Sequence, residues 1–172
     1  QKILKPVTRV NGSIFLPGSK SITNRILLMA ALCKGQTTIN NYLKSDDTSH
    51  MISALKTLGV IFRSTKNSLI IEGVNHKFPV SEAKLFLGNA GTALRPLTAV
   101  LSLMGGNYEI SGIARMHERP IEDLINALEQ IGATINYLGA SGFPPIKILP
   151  GNISYKSPIK INGTVSGQFL TA

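Results

Sequence analysis

An internal repeat restricts the architecture of this chain more than any other feature of its sequence. The stretch "MISALKTLGV" at 51–60 aligns with "LINALEQIGA" at 124–133. In both copies the apolar residues are spaced as on one buried face of a helix, and a glycine follows, Gly59 in the first and Gly132 in the second. Each copy therefore predicts a helix that ends at a glycine with left-handed backbone.

A second motif recurs and divides the chain into units. "GSKSITNR" at 18–25 aligns with "GNAGTALR" at 88–95, and a partial copy, "GTVSGQFL", lies at 163–170. Segments with the composition of strands separate the predicted helices, as at 37–42 and 107–112. The unit is therefore β-α-β-α-β-β, present twice and begun a third time. This pattern predicts an α/β (mixed α+β) fold.

The repeat also sets the expected domain organisation. One domain, 18–172, consists of units at about 18–80, 81–150 and 151–172. Each of the first two units closes with a hairpin; one turns at Lys66-Asn67 and the other crosses Pro144 and Pro145. Ahead of the domain, residues 1–17 form two extended segments around an Asn-Gly turn.

Composition narrows the functional classes. The 172 residues carry 18 basic and 9 acidic side chains, and the net charge of +9 suits nucleic acid, an acidic membrane surface or small polyanionic substrates. The basic residues are dispersed and tryptophan is absent, so nucleic-acid binding is a minority hypothesis. No apolar run is long enough to span a membrane, and no stretch has the form of a signal peptide.

Cysteine and histidine give no sign of a metal centre. The single cysteine, Cys33, cannot form an internal disulfide, which favours a reducing cytosol. The three histidines, His50, His76 and His117, share no ligand spacing with one another or with Cys33. We therefore expect no metal.

The motif copies place anion-binding groups at helix starts. A helix N-terminus carries unpaired N–H groups and the positive end of the helix dipole, and packed repeats bring several such ends together. The first copy supplies Lys20, Ser21 and Arg25, of which Ser21 and Arg25 share one helical face. The second supplies Gly91, where a ligand can approach the main chain, and the third supplies the polar groups of 166–168. We predict one shared anion site.

Other charged residues near these helix starts are interpreted one by one. Pro120 suits the first position of a helix, which places Arg119 at the cap beside unpaired N–H groups. Arg95, midway along a helix among apolar neighbours, is interpreted as structural. Asp46 and Asp47 are interpreted as first-turn acids of a capped helix and are left out of the site.

Four blocks of the sequence resemble, in order, the signature blocks of the 5-enolpyruvylshikimate-3-phosphate (EPSP) synthase family: "LPGSKSITNRILLMAAL", "LFLGNAGTALRPL", "RMHERPIEDL" and "VSGQFLTA". The resemblance covers nearly the whole chain. It implies the enolpyruvyl transferase fold, in which each of two domains has three β-α-β-α-β-β units and helix starts face a cleft that closes on substrate. The chain then corresponds to an amino-terminal fragment, whose residues 1–17 pack with the missing second domain.

The resemblance also implies a reaction and a role for each matching residue. The family transfers the carboxyvinyl group of phosphoenolpyruvate to the 5-hydroxyl of shikimate 3-phosphate and releases phosphate, with neither a metal nor an organic cofactor. Lys20 contacts both substrates and is a candidate proton donor. The other implied ligands of shikimate 3-phosphate are Ser21, Arg25, Ser166, Gly167 and Gln168. The other implied ligands of phosphoenolpyruvate are Gly91, Arg119 and Gln168, and Asn89 supports the loop.

One position of the sequence departs from the family pattern. The family usually has Ser-Ser-Gln where this chain has Ser166-Gly167-Gln168, so one phosphate ligand is lost.

The fragment alone is expected to be inactive, and the complete protein is expected to be a cytoplasmic monomer that binds neither nucleic acid nor membrane. The alternative is a stand-alone module that binds phosphate or RNA with the same basic face and without catalysis.

Overall fold

The computed structural model describes residues 6–65, 68–154 and 158–172. Its helices are α1 (Lys20–Leu32), α2 (Asp46–Thr57), α3 (Gly91–Met104), α4 (Glu122–Glu129) and a 3-10 helix (Ala114–Glu118). Its strands are β1 (Lys34–Asn40), β2 (Ile61–Ser64), β3 (Ser68–Val74), β4 (Glu82–Phe86), β5 (Asn107–Ser111), β6 (Thr134–Tyr137) and β7 (Ile146–Leu149). No helix in these ranges is long and apolar enough to cross a membrane.

The strands form two sheets that follow one pattern. One sheet has the order β4-β5-β7-β6, with β4 parallel to β5 and the other neighbours antiparallel. The other sheet has the order β1-β3-β2 and is antiparallel throughout. The order β1-β3-β2 matches β5-β7-β6, and the mixed α/β fold predicted from the repeat is confirmed.

The first unit has one strand fewer than the second. Residues 6–19 contain no strand, whereas β4 precedes α3 in the second unit. Both predicted hairpins are present, β2 with β3 and β6 with β7, although the predicted turn at Lys66-Asn67 lies outside the described residues. The strand predicted at 37–42 is β1, which begins at Lys34 and ends at Asn40.

Local signals set the ends of the helices. Ser19 caps α1 by accepting a hydrogen bond from a first-turn N–H, and Ser45 forms a capping box with Thr48 at the start of α2. Gly59 follows α2 with a φ of 95°, and Gly132 follows α4 with a φ of 92°. The left-handed glycines predicted from the repeat are therefore confirmed.

One apolar core joins the two units and holds the starts of α1 and α3 next to each other. α1 packs against α2 and α3, and α3 also contacts α4 and two strands of the four-stranded sheet. Leu27 of α1, Leu55 of α2 and Leu94 of α3 are fully buried in this core. Burial of one such side chain contributes about 1.5–3 kcal/mol. The packing therefore gives the residues at the helix starts fixed neighbours.

Candidate active site

The first turns of α1 carry three of the predicted site residues. Lys20 is the first residue of α1, and Ser21 and Arg25 follow one turn apart on the same face. Ser21 and Arg25 line a small cleft together with Gln168. The structure thus brings residues of the first and third motif copies into one place.

The cleft lies between α1, α3 and a turn at 167–171. It holds about 10 Å³, the space for one water molecule. Arg25 Nη2 donates a hydrogen bond of 2.7 Å to Thr171 Oγ1 across it. Ser166 Oγ accepts a hydrogen bond of 3.2 Å from the backbone N–H of Gln168 and so caps the turn.

Gly167 lies on the open side of this turn. The residue is exposed, and a Cβ atom placed on it meets no other atom within 4 Å. Its φ lies outside the left-handed region, so its backbone conformation does not require glycine. The departure from the usual family serine therefore has no steric cause in this structure.

Lys20 is paired with an aspartate that was left out of the predicted site. Lys20 Nζ lies 3.1 Å from Asp47 Oδ2 in the first turn of α2. The same oxygen accepts a hydrogen bond of 3.5 Å from Thr92 Oγ1, which accepts one of 2.7 Å from Asn24 Nδ2. Asp47 is a first-turn acid, as predicted, and it also touches the site through Lys20. No spacing in the sequence relates these two residues, because the packing of α1 on α2 creates the contact.

The prediction that Arg119 caps a helix is wrong. α4 begins at Glu122, and its cap residue is Ile121. Arg119 instead ends the 3-10 helix with a φ of −94° and a ψ of 119°, the extended conformation that a following proline favours. From this position its side chain reaches the start of α3, next to Gly91.

Gly91 allows two arginine side chains to approach the start of α3. A Cβ atom at Gly91 would lie 2.7 Å from Arg119 Nη1, closer than real Cβ atoms come, and 3.1 Å from Arg95 Nη1, which is tighter than most real contacts. The backbone N–H of Gly91 already donates to the carbonyl of Asn89 at 3.0 Å. A side chain at residue 91 would therefore displace the Arg119 guanidinium group and crowd that of Arg95.

Arg95, which the sequence alone marks as structural, is buried in the centre of this arrangement. The residue is 6% exposed; its Nη1 donates to Gln168 Oε1 at 2.7 Å and its Nη2 to the carbonyl of Pro120 at 3.2 Å. The guanidinium carbon lies 5.2 Å from the centre of the Phe169 ring, a cation–π contact. Burial, and then the neighbouring charge of Arg119, lowers the pKa of Arg95.

Three arginines near the starts of α1 and α3 differ in their ionic partners from Arg63 and Arg115. Within the described ranges, Arg25, Arg95 and Arg119 form no ion pair with a carboxylate. Arg63 and Arg115 each pair with a nearby glutamate. A buried cation without a counter-ion is costly, and a bound anion removes that cost. The region around the starts of α1 and α3 is therefore chemically suited to an anionic ligand.

Asn89 adds a polar atom beside the start of α3. Its Oδ1 is buried and has no hydrogen-bond partner among the described residues. Such an oxygen can accept a hydrogen bond from a hydroxyl or an N–H group. No group of His, Cys, Asp and Glu side chains in the described part of the chain is arranged to hold a metal ion.

The fold and the cleft define an α/β repeat protein with a cationic site at its helix starts, and comparison with known proteins gives its family. A family model described as EPSP synthase (3-phosphoshikimate 1-carboxyvinyltransferase) matches residues 4–172. The chain belongs to the EPSP synthase family, which confirms the resemblance carried by its sequence blocks.

Curated relatives and solved structures agree with this assignment. A 3-phosphoshikimate 1-carboxyvinyltransferase from Cupriavidus necator is 56% identical over 98% of this chain and 39% of its own length. The corresponding protein from Cellvibrio japonicus is 55% identical over 98% of this chain and 40% of its own length. The structure of an EPSP synthase from Acinetobacter baumannii superposes with a TM-score of 0.76 at 28% identity, covering 83% of this chain and 33% of that one. The chain therefore spans about 39% of the length of the relatives it matches.

The contact between Asp47 and Lys20 predicts a change in the reactivity of the lysine amine. An ion pair of this exposure contributes up to about 1 kcal/mol. In Asp47→Asn, we expect acetic anhydride to acetylate Lys20 about two- to fivefold faster, as measured by mass spectrometry, because the pair restrains and protects the ammonium group.

Asp46→Asn is the matched control. Asp46 lies in the same first turn and is exposed, and no ion pair involves it among the described residues. Its substitution should leave the labelling rate of Lys20 unchanged. Equal rates in the Asp47→Asn, Asp46→Asn and unsubstituted proteins would show that the pair does not form.

Proposed function

We propose that the complete protein containing this chain transfers the carboxyvinyl group of phosphoenolpyruvate to the 5-hydroxyl of shikimate 3-phosphate. The reaction releases phosphate and gives 5-enolpyruvylshikimate 3-phosphate on the route to chorismate and the aromatic amino acids. One observation carries the proposal: three arginines without acidic partners lie around the starts of α1 and α3. Membership of the EPSP synthase family supports the same chemistry.

The reaction needs positively charged side chains because its two substrates repel each other. Two phosphorylated substrates must lie side by side, and at about 4 Å and an effective dielectric constant of about 20 each pair of unit charges repels by roughly 4 kcal/mol. Lys20, Arg25 and Arg119 offset this repulsion. Because the fold groups these residues around two neighbouring helix starts, they can orient the reacting atoms.

Shikimate 3-phosphate is proposed to bind between α1 and the turn at 167–171. Arg25 exchanges its hydrogen bond to Thr171 for a stronger, charge-assisted one to the phosphate. Because the cleft has space for only about one water molecule, Thr171 must move aside as the substrate enters. Lys20 contacts this substrate as well, and the remaining proposed ligands are Ser21, Ser166, Gly167 and Gln168.

Phosphoenolpyruvate is proposed to bind at the start of α3. Gly91 and Arg119 meet there, and Gln168 reaches the same region through Arg95. Lys20 is the candidate proton donor to the methylene carbon, since a positioned ammonium group can act as a general acid. The proposal involves no metal and no organic cofactor.

Further parts of the complete protein are needed for activity. The resemblance assigns the catalytic aspartate, a lysine-glutamate pair and more phosphoenolpyruvate-binding arginines to positions after Ala172. Residues 6–17 expose apolar side chains, among them Val10 at 88% and Phe15 at 96%. We propose that 1–17 pack with a second domain, that 18–172 belong to the first, and that the complete enzyme is a cytoplasmic monomer. The chain alone should therefore release no phosphate from the two substrates.

Substitution of Lys20 and Arg119 tests the proposed function in the complete protein. We expect Lys20→Met and Arg119→Ala each to abolish phosphate release from shikimate 3-phosphate plus phosphoenolpyruvate, because each removes a cation that offsets substrate repulsion. Lys84→Met and Arg63→Ala make the same chemical changes at residues that pair with glutamates in the sheets. These two controls should retain the normal rate.

Two results would contradict the proposal. Normal turnover of Lys20→Met or of Arg119→Ala would show that the substituted residue is not needed for the reaction. Tight RNA binding by the unsubstituted protein, with no turnover of the two substrates, would favour the stand-alone binding module.

The open space beside Gly167 gives a prediction for substrate affinity. In Gly167→Ser a hydroxyl fits without displacing any neighbour. A hydrogen bond to a charged group contributes about 1.5–3 kcal/mol, so the KM for shikimate 3-phosphate should fall by about tenfold or more in steady-state assays of the complete protein. An unchanged or higher KM would show that residue 167 does not face the phosphate. Gly139→Ser, at an exposed residue where an added Cβ atom meets its nearest neighbour only at 3.4 Å, should have no such effect.

A further inference from the structure

Arg95 has a defined contact with a proposed substrate ligand. Its Nη1 donates to Gln168 Oε1 at 2.7 Å, while its Nη2 donates to the carbonyl of Pro120. The Phe169 ring packs against the guanidinium group, and both Arg95 and Phe169 are buried. The guanidinium group thus contacts an amide oxygen, a backbone carbonyl and an aromatic ring that belongs to the core.

The chemistry of this hydrogen bond fixes the orientation of the Gln168 amide. A guanidinium group carries only donors, so the atom of Gln168 that faces it must be the carbonyl oxygen. The NH₂ group then lies on the opposite side of the amide. The hydrogen bonds of Gln168 to described side chains use its Oε1, its backbone N–H and its backbone carbonyl. They leave Nε2 available at a cleft that Ser21 and Arg25 also line.

We propose that Arg95 is a positioning residue, which orients the Gln168 amide so that its NH₂ group donates to the phosphorylated substrates. The inference rests on the proposed function, because it takes Gln168 to be a substrate ligand. An amide in the opposite orientation presents its carbonyl oxygen to an anion and repels it. Arg95 therefore determines whether Gln168 assists or opposes binding.

The surroundings of Arg95 distinguish this role from a purely structural one. A buried arginine that only stabilises the fold is typically paired with a carboxylate, as buried charges usually are. Within the described ranges Arg95 has no carboxylate partner, and a second cation, Arg119, lies beside it at Gly91. Its side-chain contacts are an amide oxygen, a backbone carbonyl and an aromatic ring.

Gln168→Glu in the complete enzyme tests whether Gln168 binds substrate or makes only a structural contact with Arg95. The new carboxylate can pair with Arg95 and gives it a counter-ion, so the melting temperature should stay the same or rise. The amide donors are lost and a negative charge faces the substrates, so the KM values for both substrates should rise at least tenfold. A purely structural contact predicts the same melting temperature with unchanged KM values, and that result would overturn the proposal.

Gln130→Glu is the matched control for the added charge. Gln130 lies at the exposed end of α4, where its side chain bonds to Asn126 and Lys160. The same substitution there should leave both KM values unchanged. If Gln130→Glu raises the KM values as much as Gln168→Glu does, the effect comes from the added net charge, and the proposal is overturned.

Arg95→Met, alone and with Gln168→Ala, tests the coupling between the two residues. If Arg95 acts through the amide, Arg95→Met raises KM in the normal background and has no further effect on KM when Gln168 is alanine. Equal effects in the two backgrounds would overturn the proposal. If Arg95→Met does not fold, Arg95→Gln takes its place in the same test, because an amide can donate or accept and no longer fixes the orientation of Gln168. Absence of turnover in the unsubstituted enzyme would contradict the proposed function instead.

Discussion

The arrangement of the site depends on one electrostatic constraint, the burial of the Arg95 charge without a carboxylate to neutralise it. Hydrogen bonds to Gln168 and Pro120 and the Phe169 ring reduce the cost of that burial but do not remove the charge. Arg119, beside it at Gly91, adds a second charge of the same sign. We propose that a bound anion offsets both charges.

The repeat explains how a chain can build this site from separate segments. Arg25 and Arg95 occupy matching positions in the first two motif copies, and each donates to a residue of the turn at 167–171. The third copy thus contacts the other two in the same way. The two arginines differ in burial: Arg95 is enclosed by α3 and Phe169, whereas Arg25 is partly exposed at the cleft. That difference suits Arg25 to contact a ligand and Arg95 to position one.

Local signals in the sequence were sufficient to predict most of the fold. Helix periodicity, the glycines after α2 and α4, and the two hairpins each depend on a short stretch of chain, and the structure has all of them. The strand missing before α1 could not be predicted this way, since a strand needs a partner and residues 6–17 have no neighbouring sheet in the described structure. Pro120 was misleading at Arg119, because the same residue that suits a helix start also keeps its predecessor extended.

The site was predictable only in part, because its key contacts join distant residues. Motif spacing indicated Lys20, Arg25 and Gly91, which belong to helix starts. The pair of Asp47 with Lys20 depends on the packing of α1 on α2. The contact of Arg95 with Gln168 depends on where the third motif copy lies. Apolar neighbours in the sequence indicated a structural role for Arg95, but they could not show which groups surround it.

Arginine side-chain NMR measures the central claim most directly. In the chain labelled with 15N-arginine, the Nε signals of Arg25, Arg95 and Arg119 would be followed as phosphoenolpyruvate and shikimate 3-phosphate are added. Arg63 and Arg115, which are already paired with glutamates, serve as internal references. If the unpaired cations form the anion site, the first three signals shift together and saturate, and the two references stay in place. Shifts spread evenly over these five of the six arginines, or confined to the references, would contradict the account.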